Sequence, residues 1–279
     1  MSTYYSDPKI SRREKEEREA DIRGKIEQIR VEQPRTGYRP LLAELKKSGV
    51  VIGERRLRRI MKKFSLHIKP RRRFVRTTQS DHDHPVHENL IKGMEVTKIN
   101  QLWVSDITYI RITNGFVYLA VVMDIYSRKV VGWAISKKID RHLTLAALQM
   151  AIKQRAPKEG IIHHSDRGVQ YLCDDYVKLL VDSGFQVSCS RKGNPYDNAF
   201  AESFMKTLKD NEVHLWSYET ILDVLERVPY FIEEVYNKKR LHSALDYQSP
   251  EEFENEIKVR YKNKKSASRY VVKIGGSTP

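Results

Sequence analysis

Cysteine is nearly absent: Cys173 and Cys189 are the only two in 279 residues, too few and too isolated for a disulfide scaffold or a zinc site. No apolar run approaches the roughly 20 residues that a membrane span requires. The N-terminal stretch alternates Arg, Lys and Glu and has no signal-peptide apolar core. Internal repeats and a sustained heptad run are also missing. These absences argue against a membrane protein and a secreted disulfide-stapled module, and they imply a reducing cytoplasm. What is present, 40% hydrophobic residues, suits two or three folded domains.

Acidic residues are scarce at the two ends. Residues 1–80 hold 23 Lys and Arg against 10 Asp and Glu, and residues 258–279 hold seven basic residues and no acidic one. The body, 81–257, carries 21 basic and 26 acidic residues. A basic head and tail around a mildly acidic body suggest arms that hold a polyanion and a body that does chemistry. Solubility alone is the competing reading.

Residues 11–33 space Ile22, Ile26 and Ile29 as a helix that ends near Pro34. A short helix is expected from Leu41 to Lys47, a break at Ser48-Gly49, and a second helix from about Gly53 to Phe64. Leu57, Ile60, Met61 and Phe64 line one face of it, while Arg55, Arg56, Arg58, Arg59, Lys62 and Lys63 cover the rest. Two short helices around a glycine-containing turn form a small all-α, helix-turn-helix-like pattern over residues 1–68. Residues 69–97, with Arg71, Arg72 and Arg73, read as a basic and polar linker. Its Asp81-His82-Asp83-His84 has metal-ligand residue types but no regular scaffold to preorganise them.

From Asn100 the pattern changes. Strands are expected at Leu102–Ile112, Phe116–Tyr126 and Lys129–Ile135, with a tight turn at Asn114-Gly115. Then come a helix (141–154), a strand (161–164), a helix (174–183), a strand (186–190) and a long helix (198–212). Three strands followed by alternating helix and strand give an α/β fold with a mixed sheet over residues 98–215. Residues 216–257 read as a helical part packed on that core, and 258–279 as a basic tail.

Three carboxylates occupy distinctive stretches. Asp106 lies in Trp103-Val104-Ser105-Asp106-Ile107-Thr108-Tyr109, inside a strand with apolar residues on both faces, where a charge costs several kcal/mol unless compensated. Asp166, in His163-His164-Ser165-Asp166-Arg167-Gly168, ends a strand, the place where open α/β sheets put ligands. Glu202, in Asn198-Ala199-Phe200-Ala201-Glu202-Ser203-Phe204, shares a helix face with Lys209, seven residues on. Each has an ordinary reading: a turn-forming Asp, or a surface Glu paired with Lys206. Together they supply the hard oxygen ligands that Mg²⁺ takes.

This set, with 35 residues between Asp166 and Glu202, resembles the DDE motif of the transposase and retroviral-integrase superfamily. More narrowly it resembles the second-frame transposases of bacterial copy-out, paste-in insertion elements, over about Ser2 to Phe253. The resemblance implies a ribonuclease-H-like mixed sheet flanked by helices. It implies Asp106, Asp166 and Glu202 as catalytic residues holding two Mg²⁺ ions, for which Mn²⁺ substitutes. The reaction implied is strand cleavage followed by attack of a DNA 3′-hydroxyl, in the course of transposition and integration.

By the same resemblance Lys209 contacts the element end, and the helix-turn-helix-like module binds DNA through Arg55, Arg56, Arg58 and Arg59, with Arg71, Arg72 and Arg73 beside it. The loop Arg191-Lys192-Gly193-Asn194-Pro195-Tyr196-Asp197-Asn198 is expected to gate the site, to cap the following helix through Asn198, or to touch DNA through Arg191, Lys192 and Asn198. His164 either bridges to a metal-bound water or packs. Tyr236-Asn237-Lys238-Lys239-Arg240-Leu241-His242-Ser243-Ala244-Leu245 is expected to fold back on the core. The partners implied are double-stranded DNA (terminal repeats and target), a second copy of the chain, and a first-frame partner or fusion. The alternatives are a catalytically inactive DNA-binding relic or regulator, and a ribonuclease-H-like nuclease without strand transfer.

Overall fold

The computed structural model describes residues 11–68, 87–190, 198–262 and 270–274. Two compact units divide the chain, Met1–Arg73 and Phe74–Pro279.

In the first unit, α1 (Arg12–Glu32) starts on a reciprocal cap. The Glu14 amide donates to Ser11 Oγ at 3.1 Å, and the Ser11 amide donates to Glu14 Oε2 at 2.9 Å. α2 (Tyr38–Lys47) and α3 (Glu54–Lys63) follow. α2 begins three residues before the expected Leu41, because Pro40 falls in its first turn, where a missing N–H breaks no helical bond. Ile22 and Ile26 of α1, Leu41 and Leu45 of α2, and Leu57, Ile60 and Met61 of α3 form the core. Arg30 ties the edges together, donating to Leu66 O at 2.6 Å and Thr36 O at 3.0 Å.

The second unit is built on β2 (Leu102–Ile112), β3 (Gly115–Asp124), β4 (Val130–Ser136), β5 (Ile162–Ser165) and β6 (Gln186–Cys189), preceded by a short β1 (Glu95–Val96). The five long strands run in the order β4-β3-β2-β5-β6. The β2–β3 and β3–β4 pairs are antiparallel, and β2–β5 and β5–β6 are parallel. The hairpin closes one residue earlier than the Asn-Gly pair suggested. Ile112 pairs with Gly115, and Gly115 takes a φ of 117° that other residues resist.

Side chains of β2 alternate between two apolar layers. Leu102, Val104 and Ile110 face one layer, with α7 (Ala199–Leu208), α8 (Ile221–Tyr230) and α9 (Pro250–Lys262). Trp103 and Ile107 face the other, with α4 (Arg141–Arg155), α5 (Val169–Leu172) and α6 (Asp174–Asp182). β2 is therefore central and covered on both sides, as its sequence predicted.

Two expectations are corrected. Residues 87–97 belong to the fold and not to a linker: Ile91 and Val96 are buried, and β1 pairs with β7 (Val272–Lys273). The tail accordingly returns to the body. Tyr270 packs on Phe253 with ring centroids 5.0 Å apart, and Ile274 is buried. Strands of two residues have no alternation to read, so composition assigned both stretches wrongly.

Polar side chains fasten the helical layer to the sheet. Asn237 accepts from the Val130 amide at 3.0 Å and donates to Val130 O at 2.9 Å. It thus pairs with the start of β4 as another strand would. Arg155 of α4 grips Glu254 of α9 through two bonds of 2.9 and 2.5 Å, beside the buried Asp124. Asp124 accepts from the amides of Asn100 and Ser127 at 2.6 and 3.0 Å. Burial and the Glu254 charge nevertheless push its carboxyl up to about 6.

Candidate active site

The parallel ladder between β2 and β5 pairs Leu102 with Ile162, Trp103 with His163 and Val104 with His164. Two residues beyond the last of these pairs come Asp106, still in β2, and Asp166, just past the end of β5 and near enough for its charge to act on Asp106. β5 stops at Ser165, so β2 runs on past it and Asp106 lies where the sheet opens. The alternation of β2 puts Asp106 on the layer shared with α7, the helix of Glu202.

Asp106 records this company. Among the described residues its carboxylate accepts from the neighbouring Ile107 amide, at 2.9 Å. Burial, then the charge of Asp166 and more weakly that of Glu202, pushes it up to about 7, against the Ile107 bond and the Lys209 charge. Glu202 and Lys209 both act on Asp106, which agrees with their expected common helix face. Lys209 Nζ stands 4.6 Å from the centre of the exposed Tyr109 ring, and burial lowers its pKa while Asp106 holds it up.

Asp166 is shaped by its turn. Its Oδ1 accepts from the Gly168 amide at 2.9 Å. A methyl group on Gly168 would meet that oxygen at 3.0 Å and Gln170 Oε1 at 2.9 Å, so only glycine leaves the carboxylate undisturbed.

The two histidines before Asp166 are scaffold. His163 Nε2 meets Ser105 Oγ at 2.7 Å and the Tyr176 hydroxyl at 3.0 Å. Burial and His164 hold its imidazole down at about 3, so it is neutral. His164, fully buried, has Ser188 on Nδ1 at 2.8 Å and Ser190 on Nε2 at 3.0 Å. Both its nitrogens are taken, which decides for packing over a water bridge.

Asn198 does not cap α7. It is buried, and its Nδ2 donates to Ser105 O at 3.3 Å, tying the start of the Glu202 helix to the residue before Asp106. The far end of that helix departs from expectation too, widening into a π-helical turn at Lys209–Val213. Buried Glu212 anchors the turn, accepting from the Tyr218 hydroxyl at 2.8 Å and from Arg227 Nε at 2.7 Å. The sequence reading named Asn198 for a different role and did not single out Glu212, because each is defined by a side-chain or backbone partner that no local pattern marks.

Among the described residues no group of three His, Cys, Asp or Glu side chains is gathered closely enough to hold one metal ion. The donor set still suits a hard divalent cation: three carboxylates, one of them destabilised as an anion by its neighbours. In the helical unit Arg55, Arg58 and Arg59 of α3 are exposed and Arg56 is half-buried. Arg58 lies over the Tyr38 ring at 5.0 Å, and Arg59 stands 3.8 Å from Glu19. Arg71, Arg72, Arg73, Arg191, Lys192 and the Asp81–His84 stretch lie outside the described residues.

Comparison with known proteins agrees with these features. Integrase core domain families match residues 96–195 and 183–250, and an HTH-like domain family matches residues 16–74. An uncharacterized 31 kDa protein of insertion element IS600 from Shigella sonnei is 39% identical over 85% of this chain and 88% of its own. The transposase for insertion sequence element IS904 of Lactococcus lactis is 37% identical over 75% of this chain and 83% of its own. The transposase InsF for insertion sequence IS3A of Escherichia coli is 37% identical over 79% and 77%. Among solved structures, the catalytic core domain of BIV integrase aligns over 58% of this chain and 99% of its own, at 19% identity and a TM-score of 0.43.

Proposed function

This chain belongs to the DDE transposase and integrase superfamily, among the IS3-type transposases of insertion elements, and we propose that Asp106, Asp166 and Glu202 are its catalytic carboxylates. The observation that supports the assignment is the β2–β5 register, which pairs Val104 with His164 two residues before each aspartate, together with the charges of Asp166 and Glu202 acting on Asp106. Asp106, held at about 7 by burial and like charge, is a carboxylate short of a cation. Two magnesium ions, or manganese in their place, would be held by the three carboxylates. Their contribution when bound is to neutralise phosphate charge and to lower the pKa of the attacking hydroxyl.

The chain's own residues do the rest. Asn198 holds the start of α7 to β2, so that Glu202 is presented to the aspartates from a fixed helix. Lys209 meets a DNA phosphate beside Asp106. Water or a DNA 3′-hydroxyl serves equally as nucleophile, since only the attacking oxygen differs. That gives both cleavage at an element end and strand transfer, without a covalent protein–DNA intermediate.

DNA binding is the task of the HTH-like domain. Its contacts are assigned to Arg55, Arg56, Arg58 and Arg59, with Arg71, Arg72 and Arg73 assigned from sequence, as are Arg191 and Lys192 in the loop before α7. Two element ends must be paired, so at least a dimer assembles on DNA, in the cytoplasm, joined by or fused to a first-frame protein.

The test is a labelled duplex carrying the element's terminal repeat, with and without Mg²⁺, comparing wild type with Glu202→Gln. Metal-dependent nicking and joining are expected in wild type and lost in the variant, with DNA binding kept. Binding without chemistry in both proteins, even with the first-frame protein added, would sink the catalytic reading.

A further inference from the structure

The flank of α7 away from Glu202 carries a cationic cluster that the proposed chemistry does not use. Arg128, in the turn between β3 and β4, lies with its guanidinium carbon 4.1 Å from the centre of the Phe200 ring. Phe200 and Glu202 are about 200° apart around the helix. Tyr236 joins the two ends of the cluster. Its ring packs edge-on against Phe204 of α7 at 4.7 Å and against His242 at 5.1 Å, and its hydroxyl feels both Arg128 and Arg240. His242 in turn feels both guanidiniums.

Arg128, Arg240 and His242 are half-buried, so each reaches the surface. Among the described residues neither arginine has an ion pair, and Asp210 acts on Arg240 only from beyond ion-pair distance. Arg128 Nε and His242 Nε2 are buried nitrogens with no hydrogen-bond partner. Burial lowers the pKa of both arginines, and burial with the two positive neighbours holds His242 neutral, down at about 3. Arg128 also keeps a left-handed φ of 61°, a conformation costly for a residue with a side chain. An aromatic face offsets only part of the cost of burying charge. Two guanidiniums that reach the surface without an ion pair among the described residues, both acting on Tyr236 and His242, describe a place for an anion.

We propose that Arg128, Arg240 and His242 bind a backbone phosphate of the bound DNA, other than the one being cut. This rests on the transposase reading and deepens it. Engaged by this cluster on one side of α7 and by Lys209 on the other, the bound DNA would be fixed at two separate points about the Glu202 helix.

Full-length wild type, Arg128→Gln, Arg240→Gln and Arg240→Lys would be compared by fluorescence anisotropy on a terminal-repeat duplex across a salt series. Calorimetry with inorganic pyrophosphate would probe free phosphate. Each Gln variant is expected to weaken the duplex about tenfold or more and to reduce the salt slope by about one. Arg240→Lys should keep the slope but recover only part of the affinity, because a point charge replaces a planar fork. It also serves as the folded control should a Gln variant be unstable.

Unchanged affinity and slope in both Gln variants would overturn the proposal. So would pyrophosphate binding lost in Arg240→Gln while duplex binding stays at the wild-type level, since the site would then serve a free phosphate. Binding is read without catalysis, so a failure of wild type to nick would count against the catalytic assignment alone.

Discussion

Asp166 follows β5 at the point where the register of that strand brings it beside Asp106 of β2; every pair in the ladder between them is separated by the same sixty positions that separate the two aspartates. One carboxylate is carried by a strand and the other by the turn that follows its neighbour, and their repulsion is relieved by whatever cation binds between them.

That repulsion gives a stability test. The folded state raises the Asp106 carboxyl to about 7, so folding favours its protonated form. The stability it contributes is full below the unfolded value near 4 and is lost as pH rises through 7. Asp106→Asn should therefore raise the melting temperature at pH 8, by about 1 kcal/mol or more in stability, have little effect at pH 4, and abolish strand cleavage. Adding Mg²⁺ should stabilise wild type at pH 8 and leave Asp106→Asn nearly unmoved. A variant less stable than wild type at pH 8 would contradict this account.

Gly168→Ala tests the placement of Asp166. Gly168 has an ordinary φ of −63°, so the backbone tolerates alanine. The added methyl nevertheless presses on Asp166 Oδ1 at 3.0 Å. Cleavage should fall about 10- to 100-fold with the melting temperature within a few degrees of wild type. Full activity would show that the carboxylate need not sit where the turn holds it.

Asn237→Ala removes both bonds to Val130 and leaves a buried amide and carbonyl at the β4 edge unmatched. A loss of about 2–4 kcal/mol is expected from chemical denaturation. Asn237→Asp should fail similarly, because a carboxylate accepts from the Val130 amide but cannot donate to its carbonyl.

Arg155→Met strands two buried carboxyls, Asp124 and Glu254. At pH 8 it should cost about 3–5 kcal/mol. The penalty should shrink as pH falls below 6, where Asp124, already raised to about 6 with its arginine present, takes up a proton. Equal penalties at pH 5 and pH 8 would refute the electrostatic explanation.

The carboxylates were legible because each sits in a local pattern: a doubly apolar strand around Asp106, a strand end at Asp166, a seven-residue helical interval from Glu202 to Lys209. The sheet and the α3 core could be read for the same reason, since periods of two and 3.6 survive in one dimension. Elements defined by a particular side-chain partner left no such trace. The π-helical turn after Leu208 is anchored by Glu212 meeting Tyr218 and Arg227. Asn198 looked like a cap until Ser105, ninety-three residues upstream, claimed its amide. The expected start of α2 at Leu41 missed that Pro40 sits inside its first turn.

The pairing of β1 with β7 has a consequence for synthesis. Glu95 and Val96 meet Lys273 and Val272, about 180 residues further along. At ribosomal speeds of about 5–20 residues per second, the first strand of the catalytic unit waits roughly 10–35 seconds for its partner to be made. Through that interval Ile91 and Val96, buried in the finished fold, lack the seam that β7 and Ile274 provide. The unit is zipped shut late in translation, and a nascent chain halted before Val272 would carry Asp106, Asp166 and Glu202 on a body still open at that edge.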